Sequence, residues 1–422
     1  MLQKLANDSE CNVWKCIRHI KVGPIINADW LYDVVYPALP RILSKVKNLQ
    51  SITWATPLST APAHTQTGEV SILECLQTWQ PHAKLNFVCH SRKFDGKLFP
   101  IDDALLSSPQ LHTLDTTLYV TQESKHSSHS EIQLLKQCLI RGGSVKILRF
   151  EIQDLSDRHR RAPTSTPLSF TWKPSDRFPA LEELSLPTPQ YNMDATKCAY
   201  HLTRENLLMW TQAMDWTRMR RLDFHSNAPP LFFAMFTDRM PNLKYLRWGM
   251  SPSPDCPGWG GTPTCASAFM RSVTALEEVV FNGGGREFND FVYGILEILN
   301  AQGRNLKRLR LECAAMNGEG FTMAQYWDIF ERAPGLGFLW IASCGAFLAG
   351  TWQGEDARLA PGEKWKMCRR NKGALKVDRS KKNEAHVIWV PGRREPGILL
   401  GPVTRNYVNP RDYEGDHQDF FG

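Results

Sequence analysis

The sequence predicts an α/β solenoid of about ten to eleven irregular repeats, with parallel strands on a concave side and helices on a convex side. Three observations predict it. A short apolar frame recurs along most of the chain. Its spacing stays close to 30 residues. Helix-like segments fill the intervals between copies, and a strand followed by a returning helix at this period is the unit of a stacked-repeat architecture.

The frame is clearest in "NLKRLRLECA" at 305–314, where Leu306, Leu309 and Leu311 form an L-x-x-L-x-L pattern. Leu309 and Leu311 point the same way on a strand, and Arg308, Arg310 and Glu312 point the other way. One strand cannot bury its apolar face alone, so it needs copies alongside. The chain supplies Ile17-Ile20-Val22, Leu49-Ile52-Trp54, Leu111-Leu114-Thr116, Val145-Leu148-Phe150 and Leu181-Leu184-Leu186. Met219-Leu222-Phe224, Leu243-Leu246-Trp248, Leu276-Val279-Phe281 and Leu336-Leu339-Ile341 complete the series. A weaker strand around Leu85 and Phe87 divides the one double-length interval.

Between the frames, 71–80 places Ile72, Leu73, Leu76 and Trp79 on one helical stripe, and 131–140 does the same with Ile132, Leu135, Cys138 and Leu139. The segment 203–216 opens with Thr203 as an N-cap and keeps Leu207, Trp210 and Met214 on one face. Segments 229–240, 266–273, 288–302 and 323–333 follow as further helices.

Phrases such as "FPALEELSL" (178–186), "MPNLKYLRW" (240–248) and "NLKRLRL" (305–311) resemble leucine-rich-repeat proteins. "HLTRENLLMWTQAMDWTRMRRLDF" (201–224) is similar to the degenerate, fungal-type repeats found behind an F-box. The resemblance spans roughly residues 14 to 345. It implies a leucine-rich-repeat-like solenoid and substrate recognition for a cullin-RING ubiquitin ligase, with the repeats holding the target. Residues 1–13 are too short and too polar for an F-box or a good cap. The expectation for residues 1–422 is therefore no direct binding to the ligase adaptor, and a frayed strand at Ile17 to Val22.

Composition excludes little but orders the alternatives. With 42% hydrophobic residues among 422 the chain can bury a large core, and its net charge of +7 is modest for that length. The 11 cysteines include no C-x-x-C pair and read as small buried hydrophobes in a reducing compartment. Residues 1–9 lack the apolar core of a signal peptide, which predicts an intracellular protein, cytoplasmic or nuclear. The uncharged stretch 333–354 carries the strand frame at Leu336 and several glycines, so it reads as repeat rather than membrane span.

No catalytic, cofactor or metal constellation emerges. "NGGGREF" (282–288) lacks the Lys-Ser/Thr of a phosphate loop, and His126 and His129 stand in a polar loop, "SKHSSHS". The chain is read as a binding protein and not an enzyme. The frame predicts a partner-binding concave face made of Arg149, Arg221, Asp223, Tyr245 and Arg247, continuing through Arg308, Arg310, Phe338 and Trp340. Asp115, Glu183 and Glu278 interleave with them. Arginine, tyrosine and tryptophan are the residue types that anchor protein interfaces.

The repeats are expected to fill 1–350, leaving 351–422 as a basic extension. Lys364, Lys366, Arg369, Arg370, Lys372, Lys381 and Lys382 form its patch, joined by Lys376 and Arg379 and opposed only by Asp378. This stretch is expected to be solvent-exposed, and it supports the alternative reading of a nuclear or nucleic-acid-associated protein. The apolar runs 385–390 and 397–403 are expected to pair and close the edge of the last repeat.

Overall fold

A computed structural model describes residues 12–23, 34–55, 72–90, 92–94, 97–98, 101, 103–120, 131–141, 143–154, 166–167, 172–186, 200–201, 204–225, 230–250, 263–283, 288–313, 328–329, 331–343, 373–378 and 386–391. The chain is α/β and divides into two compact units, Met1–Leu276 and Glu277–Gly422.

In the first unit eight strands lie side by side in chain order. They are β1 (His19–Val22), β2 (Ser51–Trp54), β3 (Lys84–Cys89), β4 (Leu111–Val120), β5 (Ile147–Asp154), β6 (Glu183–Ser185), β7 (Arg221–Asp223) and β8 (Tyr245–Met250). Every pairing among them is parallel. Parallel neighbours need a crossover on each return, which the intervening segments provide. Equal positions of the sequence frame pair with each other: Ile20 with Ile52, Ile52 with Leu85, Leu148 with Leu184, and Leu222 with Leu246. One register shift, between Leu85 and Asn86, interrupts the series where β3 meets β4.

A backbone feature recurs at the strand starts. The carbonyl of Arg18 accepts from the N–H groups of both Gln50 and Ser51. The carbonyls of Lys146, Glu182 and Arg220 each accept in the same way from two consecutive N–H groups of the next strand. Each strand is thereby set one residue at a time against its predecessor.

Six of the unit's helices are α1 (Tyr36–Lys45), α2 (Ile72–Trp79), α3 (Asp103–Leu106), α4 (Glu131–Arg141), α5 (Arg204–Ala213) and α6 (Pro230–Phe236); α7 (Pro263–Ser272) is the seventh. They cover the face that carries the frame. Leu43, Leu76, Leu135, Leu139, Trp210 and Phe232 are fully buried beside frame residues such as Ile52, Leu148 and Leu222. The helix α1 had no signal in the sequence because Pro37 and Pro40 punctuate it. Pro37 falls in the first turn, where its missing N–H costs nothing, and Ala38, Leu39, Ile42 and Leu43 hold the helix through burial. Two expectations are corrected. Trp79 lies at the end of α2 and is exposed, unlike Ile72, Leu73 and Leu76. In the first frame only Val22 is buried, Ile17 and Ile20 being half-buried, and Trp14 packs instead.

The interval between β5 and β6 shows no helix among its described residues. Trp172 and Phe178 fill that space, stacked at 4.9 Å and packed edge-on against Trp210 of α5. Lys136 of α4 fastens this loop from outside, 3.6 Å from Asp176 and lying over the Trp172 ring.

The second unit begins with three parallel strands, β9 (Glu278–Gly283), β10 (Arg308–Cys313) and β11 (Phe338–Ser343), with α8 (Phe288–Gln302) between the first two. Frame pairs with frame again: Val279 with Leu309, Leu309 with Leu339, Phe281 with Leu311. The helix α8 comes so close to β9 that a Cβ on Gly294 would sit 2.7 Å from the Phe281 ring. Beyond β11 the sheet turns antiparallel, through β12 (Gly373–Asp378) and β13 (His386–Pro391). A strand pair follows the last parallel strand, His386–Pro391 pairing with Gly373–Asp378. The run 397–403, the partner expected for 385–390, lies outside the described residues. The cations around Leu375 and Val377 hid a strand inside the basic stretch 364–382. The rest of that stretch lies outside the described residues, as does most of the expected helix 323–333.

Among the described residues no helix is long and apolar enough to cross a membrane. Leu309 and Leu311 are fully buried and Arg310 is half-buried. Leu309→Ala is expected to cost about 2–5 kcal/mol, and Arg310→Ala under about 0.5 kcal/mol. Urea titration of the two variants checks this, and equal costs would refute the placement of β10.

Candidate functional site

Along each strand of the first unit, the residues between the frame positions face away from the helices. On β4 to β8 this open face carries seven charges, one of them Glu151, two residues beyond Arg149 on β5. Asp115 stands on β4, Arg149 on β5, Glu183 on β6, Arg221 and Asp223 on β7, and Arg247 on β8. Parallel pairing lines them up: Asp115 beside Arg149, Glu183 beside Arg221, and Asp223 beside Arg247. Opposite charges on directly adjacent strands attract across the sheet.

The side chains form a ladder from His90 to Tyr245, with the pair of Asp223 and Arg247 beside it. Arg149 donates from Nε and Nη2 to the two oxygens of Glu183, at 2.8 and 3.1 Å. Its Nη1 donates to Asp115 Oδ2 at 3.2 Å. Arg221 Nε stands 3.0 Å from Glu183 Oε1, and its guanidinium lies 3.5 Å over the Tyr245 ring. Arg247 Nη1 is 3.9 Å from Asp223 Oδ2, and His90 Nε2 is 3.4 Å from Asp115 Oδ1. Burial opposes the charge on Arg149, but the hydrogen bonds and charges of Glu183 and Asp115 outweigh it and raise its pKa above the ordinary value.

Of the residues expected on this face, Arg149, Arg221 and Arg247 keep part of their surface in solvent. Asp223 and Tyr245, with Asp115 and Glu183, are buried. Long arginine side chains lean across the shorter acids and across the tyrosine ring, a contact that strand periodicity does not reveal. His90 also escaped the sequence reading, because the shift between β3 and β4 obscures the frame just before it.

The remaining expected residues belong to the second unit. Arg308 and Glu278 are neighbours in register, with Nη1 and Oε2 at 3.7 Å. Phe338 is aligned with Arg308, and Trp340 with Arg310. The basic residues Lys364, Lys366, Arg369, Arg370, Lys372, Lys381 and Lys382 lie outside the described residues, as do His126, His129 and most of "GGREF".

One cluster has the ingredients of nucleophilic catalysis. Ser185 Oγ is 3.0 Å from His225 Nε2, and Asp223 is next to the same ring. The geometry does not complete a triad. His225 Nδ1 stands 3.9 Å from Asp223 Oδ1, and that oxygen accepts the His225 backbone N–H at 2.7 Å. The contact is a side-chain turn that holds His225 at φ 53° as the chain leaves β7. Among the described residues no group of three or more His, Cys, Asp or Glu side chains is placed to hold a metal ion. Cys138 is a packed hydrophobe, its thiol pushed up to about 12 by burial and then by the charge of Asp103.

No family model matches the chain, and no curated protein matches its sequence.

Proposed function

We propose that this chain is a leucine-rich-repeat-like solenoid whose open strand face binds another protein. The recurring frame, the parallel pairing of like frame positions and the repeated carbonyl contacts at the strand starts support the architecture. The ladder from His90 to Tyr245, with the Asp223–Arg247 pair beside it, carries the functional part. It fixes three arginines and a tyrosine in place across five strands, so little side-chain entropy is left to lose on binding. Arginines so held are suited to anchor a partner. The resemblance to fungal F-box-type repeats adds a role, holding the target of a ubiquitin ligase.

Nucleic-acid binding draws less support. Three arginines on the ladder face three carboxylates, so the ladder offers no excess of positive charge to phosphates.

A photo-crosslinking residue at position 247 is expected to capture one defined protein from extract of the source cells. The same residue at Leu208, exposed on α5, is expected to capture none of it. Arg221→Ala is expected to weaken that capture at least about fivefold, as loss of an interface anchor does. Identical capture at both positions, or none at 247, would refute the reading.

A further inference from the structure

Two arginines of the ladder are held in different ways. Each nitrogen of the Arg149 guanidinium has an acceptor, Nε and Nη2 on Glu183 and Nη1 on Asp115. Arg221 is fixed from one side and from below. Its Nε stands 3.0 Å from Glu183 Oε1, and its guanidinium carbon lies 3.5 Å from the centre of the Tyr245 ring. Among the described residues nothing accepts a hydrogen bond from its Nη1 or Nη2. The side chain is 42% exposed, so these donors are within reach of solvent.

The donors that remain are nonetheless held in place. Register sets Arg221 between Glu183 on β6 and Tyr245 on β8, and both of these neighbours are buried. Glu183 is itself held by Arg149. The acid draws Nε to one side, and the ring fixes the plane of the group. The edge formed by Nη1 and Nη2 is left. Two parallel N–H groups on one edge match the two oxygens of a carboxylate. A fork held in advance loses little rotamer freedom on binding.

We propose, on the reading of the open face as a protein-binding surface, that Arg221 receives a side-chain carboxylate of the partner, Asp or Glu, through its two Nη groups. The surroundings select among anions. Glu183 is shared by Arg149 and Arg221. Asp223 accepts the His225 N–H and stands near Arg247. Each acid is thus already countered, and the single charge of a carboxylate is balanced by the guanidinium it meets. A phosphate carries nearly twice that charge and would stand beside Glu183 and Asp223 with the excess unbalanced. A chain-terminal carboxylate is captured by nests of backbone N–H groups. The backbone of β7 is paired with β6 on one side and β8 on the other, and offers no such nest.

The test uses the full chain and the protein captured at position 247. Mass spectrometry locates the captured peptide, and each Asp and Glu beside the join is changed to its amide, one at a time. One such change is expected to weaken capture at least about fivefold with Arg221 in place and less than about twofold with Arg221→Ala, as for two charged groups in direct contact. These changes leave the present chain intact, so misfolding cannot imitate the result. Arg221→Lys keeps the charge but not the fork, and is expected to capture as poorly as Arg221→Ala at an unchanged melting temperature. Equal losses with Arg221 and with Arg221→Ala overturn the proposal, and so does full capture by Arg221→Lys or a captured segment without any acid. Loss of capture after phosphatase treatment of the extract overturns it in favour of a phosphate. In all of these cases capture at position 247 stands, and the interaction reading with it. If position 247 captures nothing, the interaction reading itself fails.

Discussion

Arg92→Leu is expected to lower the stability of the first unit by about 3–5 kcal/mol, the range for removing one partner of a buried ion pair. Arg92 is 1% exposed and follows β3 closely. Its Nη1 donates to Glu131 Oε1 at 2.8 Å, and its Nη2 donates to Glu131 Oε2 and to the Thr117 carbonyl. The guanidinium lies over the Tyr119 ring, and the Tyr119 N–H also donates to Glu131. One side chain thus ties the exit from β3, the end of β4 and the first residue of α4. With leucine there, the Glu131 carboxylate stays in the core with a single backbone donor. Lysine is no substitute, because its ammonium cannot make the two parallel bonds of the fork. Leucine at both positions is expected to be more stable than Arg92→Leu, since no buried charge remains. Guanidinium unfolding followed by circular dichroism measures all three. A single-variant loss below about 1 kcal/mol, or a double variant no better than the single, would show that the pair is not buried as described.

Trp210→Ala is expected to cost a comparable amount, about 3–5 kcal/mol. Trp210 is fully buried in α5 and meets the rings of Trp172, Phe178 and Trp216 at centroid distances of 6.1, 5.7 and 6.2 Å. The contacts continue from Trp216 to Phe236, from Phe236 to Phe232, and from Phe232 to Phe224 of the frame. Removing the indole leaves a cavity that rings fixed on several sides cannot close. It also frees the loop that stands in for a helix before β6. Trp210→Phe is expected to recover more than half of the loss. The near-ultraviolet dichroism of the tryptophans should collapse at lower denaturant in the alanine variant, and an unshifted midpoint would count against the packing.

The strand frame was legible because it depends on a period of two, and most of its apolar positions proved buried. Leu148, Leu184, Leu222, Leu246, Val279 and Leu309 are all inaccessible. Most of the helices were legible for the same kind of reason. What escaped were features that no local period encodes. Arg92 looks like any polar loop residue in "HSRKFDGKL", and only the fold brings it to Glu131, 39 positions away. The alternation along β6 and β7 located Glu183, Arg221 and Asp223 on the open face, but not the way the arginines cover the acids. The strand β12 was hidden by its charged neighbours, and α1 by its prolines.

The carbonyls at the strand starts also act as a ruler. Four helices end five residues before such a carbonyl: Lys45 before Gln50, Arg141 before Lys146, Ser272 before Glu277, and Gln302 before Lys307. The step from a strand to the next helix follows no such rule, running from Gly283 to Phe288 in one case and from Trp54 to Ile72 in another. The helix-to-strand step also lengthens, to seven residues from Ala213 to Arg220, but length variation is concentrated at the opposite end of the strands. For protein engineering this fixes the splice points. A unit cut from just after His112 to Lys146 carries its own ruler with it, and a foreign unit with the same five-residue step would enter in phase whatever the length of its opposite loop.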